Sequence, residues 1–374
     1  MNFEPLKDYL NRLSELGIPE CEIRVWKDHQ MVFAHCCGAA ERGRSMQGNA
    51  AYWLYSATKV VTATAVMQLL GKHVLSLDDR VSDYLPAYAH LTVIDGKAVR
   101  PASTQMTIRH LLTMCGGLNY DCNASAIREC VQRYGQSAGT VQIVEALAAQ
   151  PLDFDPGAHF QYSLCHDVLA AIVEVAAGEK FSEYVNRNII APLEIENMTF
   201  HPSKAQLQRL AARYYWDREN HPVEIERESL KFRFSDAYES GGAGLLSDAD
   251  SYIRFIDALA NGGVGKNGAR ILTPELIDLM RSDQLNEIQK RDFADRFVRP
   301  GYSYGLGVRT LVDPTKSKSP KGEFGWDGAA GAWVMIDPEN HVAAFYVQHV
   351  LDCETAYLDY HPHIRDLIYD GLQS

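Results

Sequence analysis

Residues 55–70 read Tyr55-Ser56-Ala57-Thr58-Lys59-Val60-Val61-Thr62-Ala63-Thr64-Ala65-Val66-Met67-Gln68-Leu69-Leu70. After Lys59 nearly every side chain is apolar or small, so the pattern predicts a helix that is hydrophobic all round and therefore buried. Positions three apart share a helix face, which brings the Lys59 ammonium within reach of the Ser56 hydroxyl. A serine hydroxyl is a poor nucleophile at neutral pH until a neighbour takes its proton. The first helical turn also offers free backbone N–H groups to a developing oxyanion. Taken alone, Ser-x-x-Lys mostly marks an ordinary solvated helix face. The apolar run sets this one apart, because a buried lysine needs a reason.

Two further stretches stand downstream in order. Pro156-Gly157-Ala158-His159-Phe160-Gln161-Tyr162-Ser163-Leu164 leads into the helical run Val168 to Val175, placing Tyr162 just before a helix. Near the C-terminus, Phe324-Gly325-Trp326-Asp327-Gly328-Ala329-Ala330-Gly331-Ala332-Trp333-Val334 is a glycine-rich turn feeding a strand. Tyr162 by itself reads as an ordinary core tyrosine, and only its place in this order promotes it.

With these motifs the chain resembles the penicillin-binding protein and β-lactamase superfamily, in its class C β-lactamase-like, esterase-like branch. The resemblance runs over most of the chain, and Leu111 to Leu118, Phe154-Asp155-Pro156-Gly157, Ala191-Pro192-Leu193 and Ser240 to Ser247 add to it. It implies a serine hydrolase working through an acyl-enzyme on Ser56. Lys59 and Tyr162 would be the proton-handling pair, and the backbone N–H groups of Ser56 and Ala329 the oxyanion hole. Tyrosine and lysine ordinarily titrate near 10 and 10.4, so one of the two must be depressed to act as base, and which one stays open. The family's Tyr-x-Asn is here Tyr162-Ser163-Leu164, and the Lys-Thr-Gly of β-lactamases is Trp326-Asp327-Gly328. The first change removes an amide that contacts substrate. The second removes a cation and leaves Asp327 to repel a carboxylate, with Trp326 as pocket wall and indole donor. Leu164, Trp326, Asp327 and Gly328 are thus the expected substrate-binding positions. A site without its hydrogen-bonding partners discriminates poorly for substrates that need them, so both changes favour an esterase or acyltransferase on small acyl substrates. The alternatives are a β-lactamase or D-aminopeptidase/carboxypeptidase, and a non-catalytic binding module of the same fold. No metal or organic cofactor is expected.

Composition narrows the class from another side. The formal charge of −12 argues against nucleic acid as a partner, since phosphate backbones are bound by excess lysine and arginine. No basic region followed by an apolar one opens the chain, and no uncharged apolar run is long enough for a bilayer, so a cytoplasmic enzyme is expected. The eight cysteines have no Cys-x-x-Cys spacing, which points to reduced thiols rather than a zinc site or disulfide framework. Composition does not determine the oligomeric state.

The length of 374 residues exceeds what one core usually organises, and two lobes are expected. Phe3 to Leu16 reads as an amphipathic helix, and Glu20 to Trp26 with Met31 to His35 as a hairpin. The segment 77–296 reads as a mainly helical lobe, including helices over Thr140 to Ala149 and Asp248 to Ala260. Tyr304 to Val312, Ala332 to Ile336 and Val342 to Gln348 read as antiparallel strands, closed by a helix around Ile364 to Leu372. The fold class is therefore α+β, β-lactamase/transpeptidase-like. Residues 1–76 and 297–374 share an α/β lobe with an antiparallel sheet flanked by helices, and the active site lies at the seam. Three other motifs read as structure. Gly262 to Gly268 is a surface turn, lacking the P-loop Ser/Thr at Asn267. Ser247-Asp248 caps a helix, and His159 and His166 are packed or solvated histidines.

Overall fold

Strands from the two ends of the chain lie side by side. In the computed structural model, which describes residues 1–41, 44–45, 48–219, 221–228 and 230–374, Glu20–Lys27 pairs antiparallel with Val342–Val347, in the register Ile23 to Tyr346 and Val25 to Ala344. They form the centre of an eight-stranded sheet ordered Tyr302–Tyr304, Arg309–Leu311, Phe324–Gly325, Trp333–Asp337, Val342–Val347, Glu20–Lys27, Gln30–Glu41 and Arg44–Ser45. Because side chains alternate across a strand, each central strand feeds two cores. Ile23, Val25, Trp333, Met335, Ala344 and Tyr346 face a core shared with the helices Glu4–Arg12 and His361–Gln373. Val334, Ile336, Ala343, Phe345 and Val347 face the larger core on the other side. That core holds the helices Thr58–Gly71, Cys165–Ala177 and Ala249–Ala260. With both faces covered, the strands carry apolar residues at successive positions instead of the apolar/polar alternation of a one-sided sheet.

The expected elements at both ends are present, with local differences. The first helix stops at Arg12, and the last begins already at His361. The single strand expected over Tyr304 to Val312 is two, Tyr302–Tyr304 and Arg309–Leu311. Between them Leu306 N–H donates to the Met280 carbonyl at 2.9 Å and Gly307 N–H to the Leu112 carbonyl at 2.8 Å, so the backbone bonds of this loop go to the helical side. Gly307 has φ +82° there, a conformation open to glycine at little cost. The middle of the chain also contains short strands that its helical reading did not include. Leu246–Asp248 lies between Ala51–Trp53 and Met198–Thr199. The hairpin Arg213–Trp216 and Pro222–Ile225 is extended in parallel by Val350–Leu351. Asp248 caps the helix that follows it, its carboxylate accepting from the Ser251 N–H at 2.8 Å.

Candidate active site

The strand Ala51–Trp53 delivers the chain to a tight turn, Tyr55–Ala57, that opens into the helix Thr58–Gly71. Tyr55 has φ +48°, a left-handed conformation that costs a non-glycine residue about 1–3 kcal/mol. Surrounding contacts hold it: its hydroxyl accepts from Arg213 Nη1 at 3.0 Å, and Phe232 packs edge-on against its ring. Polar staples fix the apolar helix behind it. Thr62 Oγ1 donates to the Gly241 carbonyl at 2.7 Å, the Tyr252 hydroxyl donates to the Ala57 carbonyl at 2.8 Å, and Thr58 Oγ1 accepts from the Leu245 N–H at 3.2 Å.

Lys59 is fully buried. Its three donors have three acceptors: Ser56 Oγ at 3.0 Å, the Tyr120 hydroxyl at 3.2 Å and the Gly242 carbonyl at 2.7 Å. This uses the whole hydrogen-bonding capacity of an ammonium and leaves Ser56 at the edge of a cavity. Gly242 is required where it stands, since a Cβ there would collide with Asp167 Oδ2 and crowd the Tyr120 hydroxyl. Asp167 in turn accepts from the hydroxyls of Ser240 at 2.6 Å and Tyr238 at 2.7 Å, which fixes the turn carrying the Gly242 carbonyl.

The tyrosine hydroxyl bonded to Lys59 is thus that of Tyr120, which motif reading did not select. Tyr162 contributes its ring, with Lys59 Nζ 4.7 Å from the ring centroid and Tyr120 stacked at 5.5 Å on it. The Tyr162 hydroxyl accepts instead from Trp326 Nε1 at 2.9 Å. Burial, reinforced by the charges of Tyr162 and Asp167, pushes the Tyr120 phenol well above its ordinary range, so Tyr120 stays protonated at neutral pH. Tyr120 lies in the loop just past Gly116-Gly117-Leu118, where no periodicity marks a residue. Only its position two residues beyond a motif-like segment could have drawn notice.

Trp326, Asp327, Gly328 and Ala329 reach Ser56 from the end of the sheet. Gly328 lies so close to the Leu54 carbonyl that any Cβ would collide with it, which explains why glycine is needed there. Together with Ser56 and Tyr162 these residues line a cavity of about 440 Å³ whose other walls include Phe297, Val298, Arg299, Tyr357 and Leu358. Ala329 is exposed on this wall.

Two expectations change here. Leu164 does not line the cavity. It is buried in an apolar cluster with Ile127, Leu147 and Tyr238, against which Tyr120 packs, so it supports the site from behind and offers substrate no contact. Asp327 lines the cavity but does not present a free negative charge, because Arg309 Nη1 lies 2.9 Å from Oδ1 and Arg299 Nη2 2.5 Å from Oδ2. Burial opposes ionisation, but the two guanidiniums hold the Asp327 carboxyl below its usual range. The repulsion of a carboxylate expected from the sequence is therefore cancelled locally. His166, fully buried, is kept neutral by burial and by the Lys59 charge, while His159 pairs with Asp292 at 3.0 Å.

A sheet flanked by helices, with a serine and a lysine on the first turn of a central helix, is the architecture of the β-lactamase/transpeptidase fold. The chain belongs to the Beta-lactamase family, whose model matches residues 6–356. It is 31% identical to Protein Rv1367c of Mycobacterium tuberculosis, over 88% of this chain and 85% of that protein. It is 30% identical to Esterase EstB of Burkholderia gladioli, over 84% and 81%. Among solved structures it is similar to EstCE1, described as a hydrolase with promiscuous acyltransferase activity, with a TM-score of 0.79, 25% identity and 98% of both chains covered. The family comprises serine hydrolases and acyltransferases.

Proposed function

We propose that this protein is an esterase, with acyl-transfer capacity, that forms an acyl-enzyme on Ser56. The observation that carries the reading is the 3.0 Å contact between a fully buried Lys59 and Ser56 Oγ at the edge of a largely apolar cavity. A buried cation bonded to a serine stabilises the alkoxide that forms when the serine loses its proton. The proton leaving Ser56 passes to the Tyr162 hydroxyl on the cavity wall, which hands its own proton to the departing alkoxide and so ends as it began, while the Trp326 N–H holds that hydroxyl in place and Lys59 keeps its three protons. The N–H groups of Ser56 and Ala329 receive the carbonyl oxygen as it becomes an oxyanion, as backbone donors do in acyl transfer. Names among the relatives support the same class, an esterase and a hydrolase with acyltransferase activity.

A β-lactam or D-peptide finds less here. The position of the missing Tyr-x-Asn amide is filled by Leu164, which faces away from the cavity. Acyl transfer draws support from the walls Phe297, Val298, Trp326 and Leu358, where an apolar alcohol can compete with water for the acyl-enzyme. Turnover of p-nitrophenyl butyrate, alone and with added 1-butanol, tests both branches. The reading expects free butyrate in water, butyl butyrate with the alcohol, and loss of both products in Ser56→Ala. Turnover that survives in Ser56→Ala would refute it.

A further inference from the structure

Behind Arg299 and Tyr357, which wall the Ser56 cavity, lies a second cavity of about 150 Å³ that shares both residues as walls. Four cationic side chains line it, Arg299, Arg309, Lys316 and Arg365, together with His361, and no carboxylate does. The nearby acids do not balance them. Asp327 serves Arg299 and Arg309, Glu323 lies 3.4 Å from Arg309, and Asp366 lies 2.9 Å from Arg365. Three of the four cations thus have ion pairs, whereas Lys316 has none at ion-pair distance among the described residues, its electrostatic neighbour being Asp313 at the start of the same turn.

His361 supplies a second and independent observation. It is 2% exposed, yet neither ring nitrogen has a hydrogen-bond partner among the described residues. A buried polar group without a partner is unfavourable, and a ligand that reached it would relieve that. Burial, aided by Arg299 and Arg309, pushes the imidazole down to about 3, so at neutral pH the ring carries one N–H and one free nitrogen.

We propose that this cavity binds a carboxylate carried by the acyl substrate, held by Lys316, Arg365 and His361 while the ester carbonyl reaches Ser56. The assignment rests on the esterase reading above and specifies its substrate class: a half-ester of a dicarboxylic acid or another acyl ester with a distal carboxylate. Guanidinium forks match a carboxylate in shape, and a cavity of about 150 Å³ has room for a carboxylate and the carbons beside it. Asp327, paired with Arg299 and Arg309, does not oppose an anion on the Ser56 side. The Ser56 cavity also has the exposed carboxylates of Asp352 and Glu354 on its wall, whereas no carboxylate lines the second cavity, which favours the anionic end there.

The test compares mono-p-nitrophenyl glutarate with p-nitrophenyl valerate, its neutral counterpart of equal chain length, on wild type and on Lys316→Glu, a change at an exposed residue. The expected result is a lower KM for the glutarate ester on wild type. The ratio of the two KM values should move against the anionic ester by about threefold or more in the variant, the range of exposed charge pairs. In parallel, tryptophan fluorescence is titrated with free glutarate and with glutaramide, since Trp333 lines the cavity. Saturable quenching by glutarate alone, weakened in Lys316→Glu, is expected. Equal KM values for the two esters on wild type, or a ratio that the substitution leaves unmoved, would overturn the proposal. If wild type turns over neither ester, the esterase reading fails by itself and the titration decides the anion site: no difference between glutarate and glutaramide would then overturn it.

Discussion

At the scale of single residues, the site combines what adjacency reveals with what it hides. Ser56 and Lys59 were legible because three residues on one helix cannot lie far apart, and because an apolar helix gives its lone lysine no other purpose. Tyr120 was not legible, since it reaches Lys59 from a loop 61 positions away, and a loop tyrosine carries no periodic mark. Leu164 was read as a substrate contact from its place in a motif, yet the helix that starts there turns it into the apolar cluster behind Tyr120. The two tyrosines should separate in kinetics. Tyr162→Phe, which removes the hydroxyl bonded to Trp326, is expected to lower kcat for p-nitrophenyl butyrate by about 10²–10⁴-fold, the range of a lost general acid or base. Tyr120→Phe breaks one of three bonds to Lys59 and should cost about tenfold, in line with a hydrogen bond to a charged group. Steady-state kinetics that rank the two in the opposite order would assign the proton transfer to Tyr120.

At the scale of elements, the strands that the sequence marked are those with apolar residues on successive positions, and the two-sided sheet explains that pattern. What the pattern concealed is where the chain leaves a strand. The break at Gly305 to Gly307 exists because Met280 and Leu112 on the helical side take the backbone bonds, and a long-range partner leaves no trace in a local window. The motif turn at Gly328 has a sharper consequence. Gly328→Ala places a methyl against the Leu54 carbonyl, so the turn must shift from the nucleophile. Ester turnover is expected to fall by about 10²-fold, the effect of displacing reacting groups by roughly an ångström. The circular dichroism spectrum should be retained, and turnover near wild type would contradict the close approach. Asp248 was legible as a cap and is one. Asp248→Ala is expected to cost about 1 kcal/mol, as for other N-caps, read as a lower urea midpoint, and an unchanged midpoint would contradict it.

At the scale of the whole molecule, the α+β architecture and the pairing of the chain's two ends could be anticipated from the order of strands and helices, whereas the short strands between residues 198 and 225 could not. Those strands are two to four residues long and exist through partners far away in sequence. Their neighbourhood includes Glu20, a buried carboxyl with no hydrogen-bond partner among the described residues. Burial, together with the charges of Glu22 and Glu224, pushes it up to about 9. The folded protein therefore holds this proton where the unfolded chain, with an ordinary value near 4.3, has released it. Glu20's contribution to stability is fully present below that ordinary value and is lost as pH rises toward 9. Glu20→Gln, which cannot ionise, should gain in Tm relative to wild type as pH is raised from about 5 to about 9. A difference in Tm that stays flat across that range would contradict the assignment.

Catalysis by this protein requires Ser56 to be an activated nucleophile. Intact mass spectrometry after brief exposure to a fluorophosphonate, on wild type and Ser56→Ala side by side, measures that directly. A single adduct on wild type that peptide mapping places on Ser56, with none on the variant, is the expected result. An unmodified wild type that is well folded, or an adduct that persists in Ser56→Ala, would contradict it.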